Sequence, residues 1–190
     1  MMNIFHNISL MRYWTETKAN ALAETAILFP VFLSLLMGVY DLGQGIIINQ
    51  KSITSSQVMA DLIARNREVS EDIVLDIVRA GQMAIEPFPL AQDGVQLHGY
   101  DIVSVLFDED GNPDIQWRMT DNMLPNDDPL LTVENILELE NEGLVIVTTQ
   151  YRYTPYFAEF VTDEILMREV AFLRGRSSSL IVCDDCPGGS

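Results

Sequence analysis

Basic residues are scarce in this chain. Eleven Lys and Arg stand against 28 Asp and Glu, for a formal net charge of -17 over 190 residues. That balance excludes nucleic acid as a partner. It also opposes docking of a soluble part onto anionic lipid. No basic residue lies between Arg118 and Arg152, while Asp121, Asp127, Asp128, Glu134, Glu138, Glu140 and Glu142 are all acidic. Such a run is ordinarily a solvated face, and its sharper alternative is a docking surface for a basic partner. Histidine is limited to His6 and His98, and cysteine to Cys183 and Cys186. Two cysteines cannot complete a four-ligand zinc site with histidines so far off in sequence. The Cys-Asp-Asp-Cys pair stands beside Pro187-Gly188-Gly189-Ser190, not at the start of a βαβ helix, and its two acids raise thiol pKa values. A small disulfide is the first reading, which needs an oxidising compartment. Free thiols come second, and redox or metal chemistry last. No Gly-rich phosphate loop or HExxH is present, and Ser177 to Ser179 have no His-acid partners. The reading is therefore not an enzyme, with no catalytic residues, no metal site and no cofactor.

What the chain does have is one long apolar run. Asn20 to Tyr40 reads NALAETAILFPVFLSLLMGVY. As a helix it spans roughly the 30 Å of a hydrocarbon core. It is apolar all round, unlike the amphipathic helix of a soluble core. Arg12 and Lys18 precede it, Asp41 ends it, and the next basic residue is Lys51. The positive-inside rule puts the N-terminus in the cytoplasm and the bulk of the chain outside. Pro30 removes one helical hydrogen bond, so a kink or loosening is expected there. Gly38 offers a small packing surface, as do Ala21, Ala23 and Ala26. The only charge within the run is Glu24, and a carboxylate at that depth is costly without a partner or a role. A secretory signal peptide fits poorly, because the core is long and no clean small-x-small site follows. A plain single-pass anchor leaves Glu24 unexplained. A type IV prepilin-like segment explains it: a peptidase cuts between Ala19 and Asn20, and Glu24 becomes the fifth mature residue. Ala19 stands where Gly is usual, and Thr25 where an aromatic often follows.

The segment from Ala23 to Asn66 resembles the start of TadE-like proteins, the pseudopilins of tight-adherence (Flp, type IVc) pili. Glu24, Pro30, Gly38, Asp41 and Asn49-Gln50-Lys51 occupy the places of that pattern. Met83-Ala84-Ile85-Glu86-Pro87-Phe88 and Val145 to Phe157, with Tyr151-Arg152-Tyr153-Thr154-Pro155, are similar to the alphaproteobacterial type. The resemblance implies a minor pilin-like component of pilus assembly, supporting adherence and biofilm. It implies other pilus subunits, the tight-adherence secretion machinery and a prepilin peptidase as partners. It implies pairing of the Glu24 carboxylate with the free α-amino group of a processed neighbour, each charge lowering the cost of holding the other in lipid. The expected location is the bacterial inner membrane, with a periplasmic C-terminal domain. The alternative is an uncleaved single-pass membrane-anchored periplasmic binding or scaffold protein.

Three regions follow: a leader-like segment 1–19, a membrane helix 20–42, and an extracytoplasmic domain 43–190. Ile46, Ile53, Met59, Leu62 and Ile63 continue a helical spacing, with Gly43 and Gly45 as a flexible join. Ser70-Glu71-Asp72 predicts a helix start, carrying Ile73, Val74, Ile77, Val78 and Met83 inward and ending before Pro87. Val95 to Phe107, Ile115 to Met119, Leu144 to Tyr153 and Ile165 to Arg174 predict strands, and Leu130 to Leu139 a short helix. The fold class is α+β, helices packed on one face of an antiparallel sheet. Asp108, Asp110, Asn112 and Asp114 suggest a hairpin turn, since Gly111 and Met119 break the calcium-loop spacing. Tyr151, Tyr153, Tyr156, Phe157 and Phe160 read as packing, or as a contact surface for other subunits. His98 reads as a satisfied strand residue.

Overall fold

The computed structural model of the chain describes residues 17–136, 142–157, 163–176 and 179–187, and not the side chains of 17–20 and 133–136. Most of the leader-like segment, His6, Arg12, Glu138, Glu140, Phe160, Ser177 and the Gly188-Gly189-Ser190 end lie outside those residues.

Helix α1, Thr17–Ala64, has 48 residues and runs roughly 70 Å. It passes through Pro30, Gly43 and Gly45 without interruption, so the expected join is helical. Each glycine costs a helix about 1 kcal/mol. Packing on the domain compensates. A Cβ on Gly45 would lie 3.5 Å from both Tyr153 and Met167, so the bare backbone there already meets the sheet. From Asp41 onward one stripe of α1 is buried: Asp41, Gly45, Ile48, Ser52, Ser55, Met59 and Ile63. Ile46, on the helical spacing of the apolar residues, points out. The sheet-facing stripe in this stretch uses small and polar residues, which a hydrophobicity pattern does not register.

After β1, Glu68–Val69, helix α2 covers Glu71–Met83. The Ser70 side chain accepts the Ile73 N–H and Glu71 and Asp72 occupy the first turn, a favourable N-terminus. Its buried face is Val74, Ile77, Val78 and Gly81. Ile73 and Met83 fall off that i, i+3, i+4, i+7 line and are exposed, against expectation. A short hairpin follows, β2, Ala91–Gln92, with β3, Val95–Gln96. Asp93 and Gly94 turn it with positive φ, so the long strand expected from Val95 begins only at His98.

The main sheet comprises β4, His98–Phe107; β5, Pro113–Asp121; β6, Gly143–Tyr153; and β7, Ile165–Arg174. It is antiparallel throughout, in the order β5-β4-β6-β7. Helix α3, Asp128–Ile136, lies between β5 and β6 in the chain. One sheet face (Tyr100, Ile102, Trp117, Met119, Val145, Val147) packs with Met59 and Ile63 of α1 and Val74 and Val78 of α2. The other face buries Val103, Val105, Phe107 and Ile146 with Leu130 of α3, so helices pack on both faces of the sheet and not on one as expected. The architecture is thus α+β, a mixed helix and antiparallel-sheet domain carried on one long helix.

The segment ending at Pro187 is part of the core. Strand β8, Val182–Cys183, pairs in parallel with β1. Ile181 C=O accepts both Trp117 Nε1–H, 2.8 Å, and the Ser104 hydroxyl, 3.1 Å. Cys183 and Cys186 are joined by a disulfide, and both are buried. Between them Asp185 accepts the Glu71 N–H at 2.9 Å, placing a carboxylate at the N-terminus of α2.

Candidate functional site: the long helix and its junction with the domain

Among the described residues, α1 is the one helix long and apolar enough to cross a membrane. From Ala21 to Leu36 every residue is exposed, on all sides of the helix. An apolar cylinder of this kind is unstable in water and requires lipid or other helices around it. Glu24 stands exposed in its second turn or so, with Ala19 and Asn20 just before it in the same helix. Thr25 turns its hydroxyl back to Ala21 C=O, 2.8 Å, and Ser34 does the same to Val31 C=O. Both polar side chains are thereby satisfied within the helix, as an apolar medium demands. A Cβ on Gly38 or Gly43 would meet nothing within 4 Å, so both glycines leave room for another helix.

The helix meets the domain at Asp41. This carboxylate is buried, and its two oxygens accept the backbone N–H groups of Tyr156 (3.0 Å) and Phe157 (2.9 Å). The Asp41 C=O accepts the Tyr153 hydroxyl at 2.8 Å. Farther up, Thr149 donates to Ser52 C=O, and Tyr151 donates to Pro89 C=O. Alternate residues of β6 (Thr149, Tyr151, Tyr153) therefore tie that strand to α1 and to the segment after α2. Burial pushes the Tyr151 phenol up to about 12, so it stays a donor throughout the physiological range. The Tyr-rich strand is packing at Tyr151 and Tyr153, whereas Tyr156 is exposed.

The other candidates resolve into structure. Asp108 accepts the N–H groups of Asp110 and Asn112 and the Asn112 side chain, which closes the β4–β5 turn around Gly111, φ 80°. The hydrogen bonds from Asn112 come first in holding its carboxyl below the usual range. Asp127, within the acidic run, binds Arg118 at 2.6 Å. Arg118 also holds Asp101, which is 1% exposed, through Nε and Nη2 at 2.9 and 2.6 Å. Thr120 and the Asn126 N–H complete the Asp101 shell. This buried ion pair gave no signal in the sequence, since β4 and β5 bring its members together across a hairpin. His98 departs from expectation. It is buried, and neither ring nitrogen has a hydrogen-bond partner among the described residues. Desolvation pushes its pKa down to about 4, against a smaller upward pull from Asp121.

In comparisons with known proteins, no protein family, no curated protein and no solved structure matches this chain.

Proposed function

We propose that this protein is a minor pilin-like (pseudopilin) component of tight-adherence, type IVc pilus assembly. In this reading α1 is inserted in a bacterial inner membrane with the N-terminus cytoplasmic and the α+β domain periplasmic. A prepilin peptidase removes the leader between Ala19 and Asn20. The observation that carries the reading is Glu24: a lone carboxylate exposed near the start of a helix that is apolar and exposed on every side. Such a group needs an opposite charge supplied by another molecule, and the new α-amino group of a processed neighbour is one of the right size and sign. The open surfaces at Gly38 and Gly43 support close approach of a second helix. The unbroken course of α1 into the domain supports a subunit that assembles as one stiff piece.

Intact-mass analysis of the membrane-extracted protein tests processing, with Asn20 expected as the N-terminal residue. Glu24→Ala tests assembly: insertion is retained or improved while pilus formation is lost. Normal piliation in that variant would sink the proposal. The second reading, an uncleaved anchored periplasmic binding or scaffold protein, is favoured by Ala19 where Gly is usual. An intact N-terminus together with normal piliation in Glu24→Ala would establish it instead.

A further inference from the structure

The turn that leaves β6 carries an aromatic patch beside the apolar helix. Tyr156 is 79% exposed and Phe157 36%. Their rings meet edge to face at 5.0 Å, and Phe157 meets Tyr40 in the same way at 5.7 Å. With Leu33, Leu36 and Met37 of α1 these three aromatics line a hollow of about 510 Å³. None of the six carries a charge. Leu36 and Tyr40 lie roughly 2–8 Å along the helix axis from Asp41, toward the N-terminus. The aromatic pair is thus level with residues inside the apolar run, not with the domain.

A turn at that depth faces a specific difficulty. Backbone N–H groups without partners are costly in an apolar medium. The two N–H groups concerned, those of Tyr156 and Phe157, are both bonded to the Asp41 carboxylate. The same two bonds hold the Asp41 carboxylate, itself buried, against the backbone of the turn. Tyrosine at 40 and 156 presents an apolar ring with a polar tip, the chemistry enriched where headgroups meet acyl chains.

We infer that the Tyr156–Phe157 turn is a second membrane contact: it seats in the headgroup–acyl boundary of the leaflet on the domain's side of the bilayer that α1 crosses. The occupant is lipid because the patch is continuous with the exposed apolar surface of α1 at the same level. The contact is apolar and aromatic, so it operates on zwitterionic lipid despite the acidic domain. It fixes the height and tilt of the domain over the membrane. The inference rests on α1 spanning a membrane and is independent of pilus assembly.

The test uses the full chain carrying Tyr156→Trp and Trp14→Phe, in phosphatidylcholine vesicles brominated either near the headgroup end of the acyl chains or at their far end. Trp117, buried in the sheet core, gives a constant background that the Trp14→Phe parent measures. The emission added by the introduced indole should fall with the shallow bromines and change little with deep bromines or aqueous iodide, since an interfacial ring sits at headgroup level. Resistance to alkaline carbonate is read on the same vesicles. An embedded chain whose added emission is quenched by iodide alone overturns the inference and leaves the membrane helix standing. Protection from both lipid and water quenchers means that another protein surface covers the turn, and overturns it as well. Release by carbonate removes the membrane span and the inference together.

Discussion

Removing the Asp101 carboxylate should be the most damaging single truncation outside the apolar core. The group is 1% exposed and accepts four hydrogen bonds, two from Arg118, one from Thr120 and one from the Asn126 backbone. Asp101→Ala leaves a mostly buried guanidinium paired with the exposed Asp127 alone among the described carboxylates, and orphans a hydroxyl and an N–H. Breaking a buried pair by deleting one member costs about 3–5 kcal/mol. Against a typical total of roughly 5–15 kcal/mol, that is a large share. The effect has a pH signature. Burial pushes the Asp101 carboxyl up, but the bonds from Arg118, Thr120 and Asn126 outweigh it and hold it below its ordinary 3.8. A depressed native pKa gives stability that is complete above 3.8 and is lost as pH falls through the lower native value. Urea unfolding of the full chain carrying Trp14→Phe, in detergent and followed by Trp117 fluorescence, measures both. The gap between wild type and variant should be about 3–5 kcal/mol near neutrality and narrow on acidification. A gap under about 1 kcal/mol, or one unchanged down to about pH 3, would show that Asp101 is not the anchor of the β4–β5 hairpin.

His98 predicts the opposite kind of variant. Its native pKa of about 4 lies below the ordinary 6.5, so the fold loses stability as pH drops from 6.5 toward 4, on the order of 3 kcal/mol in all. His98→Leu should gain on wild type over that window in the same urea assay, and parallel curves would refute the neutral buried ring. At Gly81 a Cβ would run into the fully buried Met59 side chain between α2 and α1. Gly81→Ala should therefore lower stability by about 1 kcal/mol, because overpacking of about 1–3 kcal/mol outweighs the helix-propensity gain of about 1 kcal/mol. A melting temperature at or above that of wild type would show that the two helices part without cost.

The sequence made the apolar helix legible because a run that is apolar on every side needs no partner-specific information to stand out. Strands β6 and β7 were legible for a related reason: Leu144 to Tyr153 and Ile165 to Arg174 carry runs of branched and aromatic residues flanked by turns. Three things were hidden. The stripe that joins α1 to the sheet is Gly45, Ser52 and Ser55 as much as Ile48, and small residues mark close approach only once the partner surface is known. The segment around Cys183 is marked in the sequence by its cysteine pair alone, yet Ile181 caps the Trp117 indole, a contact across a long sequence separation. The β2–β3 hairpin had a signal, Asp93-Gly94, that outranked the apolar residues beside it. At the junction the acid at 41 was visible, but its receptors are backbone N–H groups, which no side-chain pattern reveals.

The seam between α1 and β6 also has a mechanical reading. Strand β6 descends along the helix, bonded at Ser52 through Thr149 and at Asp41 through Tyr153, with the Tyr156 and Phe157 N–H groups just beyond. A tensile load drawn along the helix axis meets these bonds in shear, so several must yield together. A load across the axis would open them one at a time. The domain is therefore held most firmly in the direction in which its own helix points.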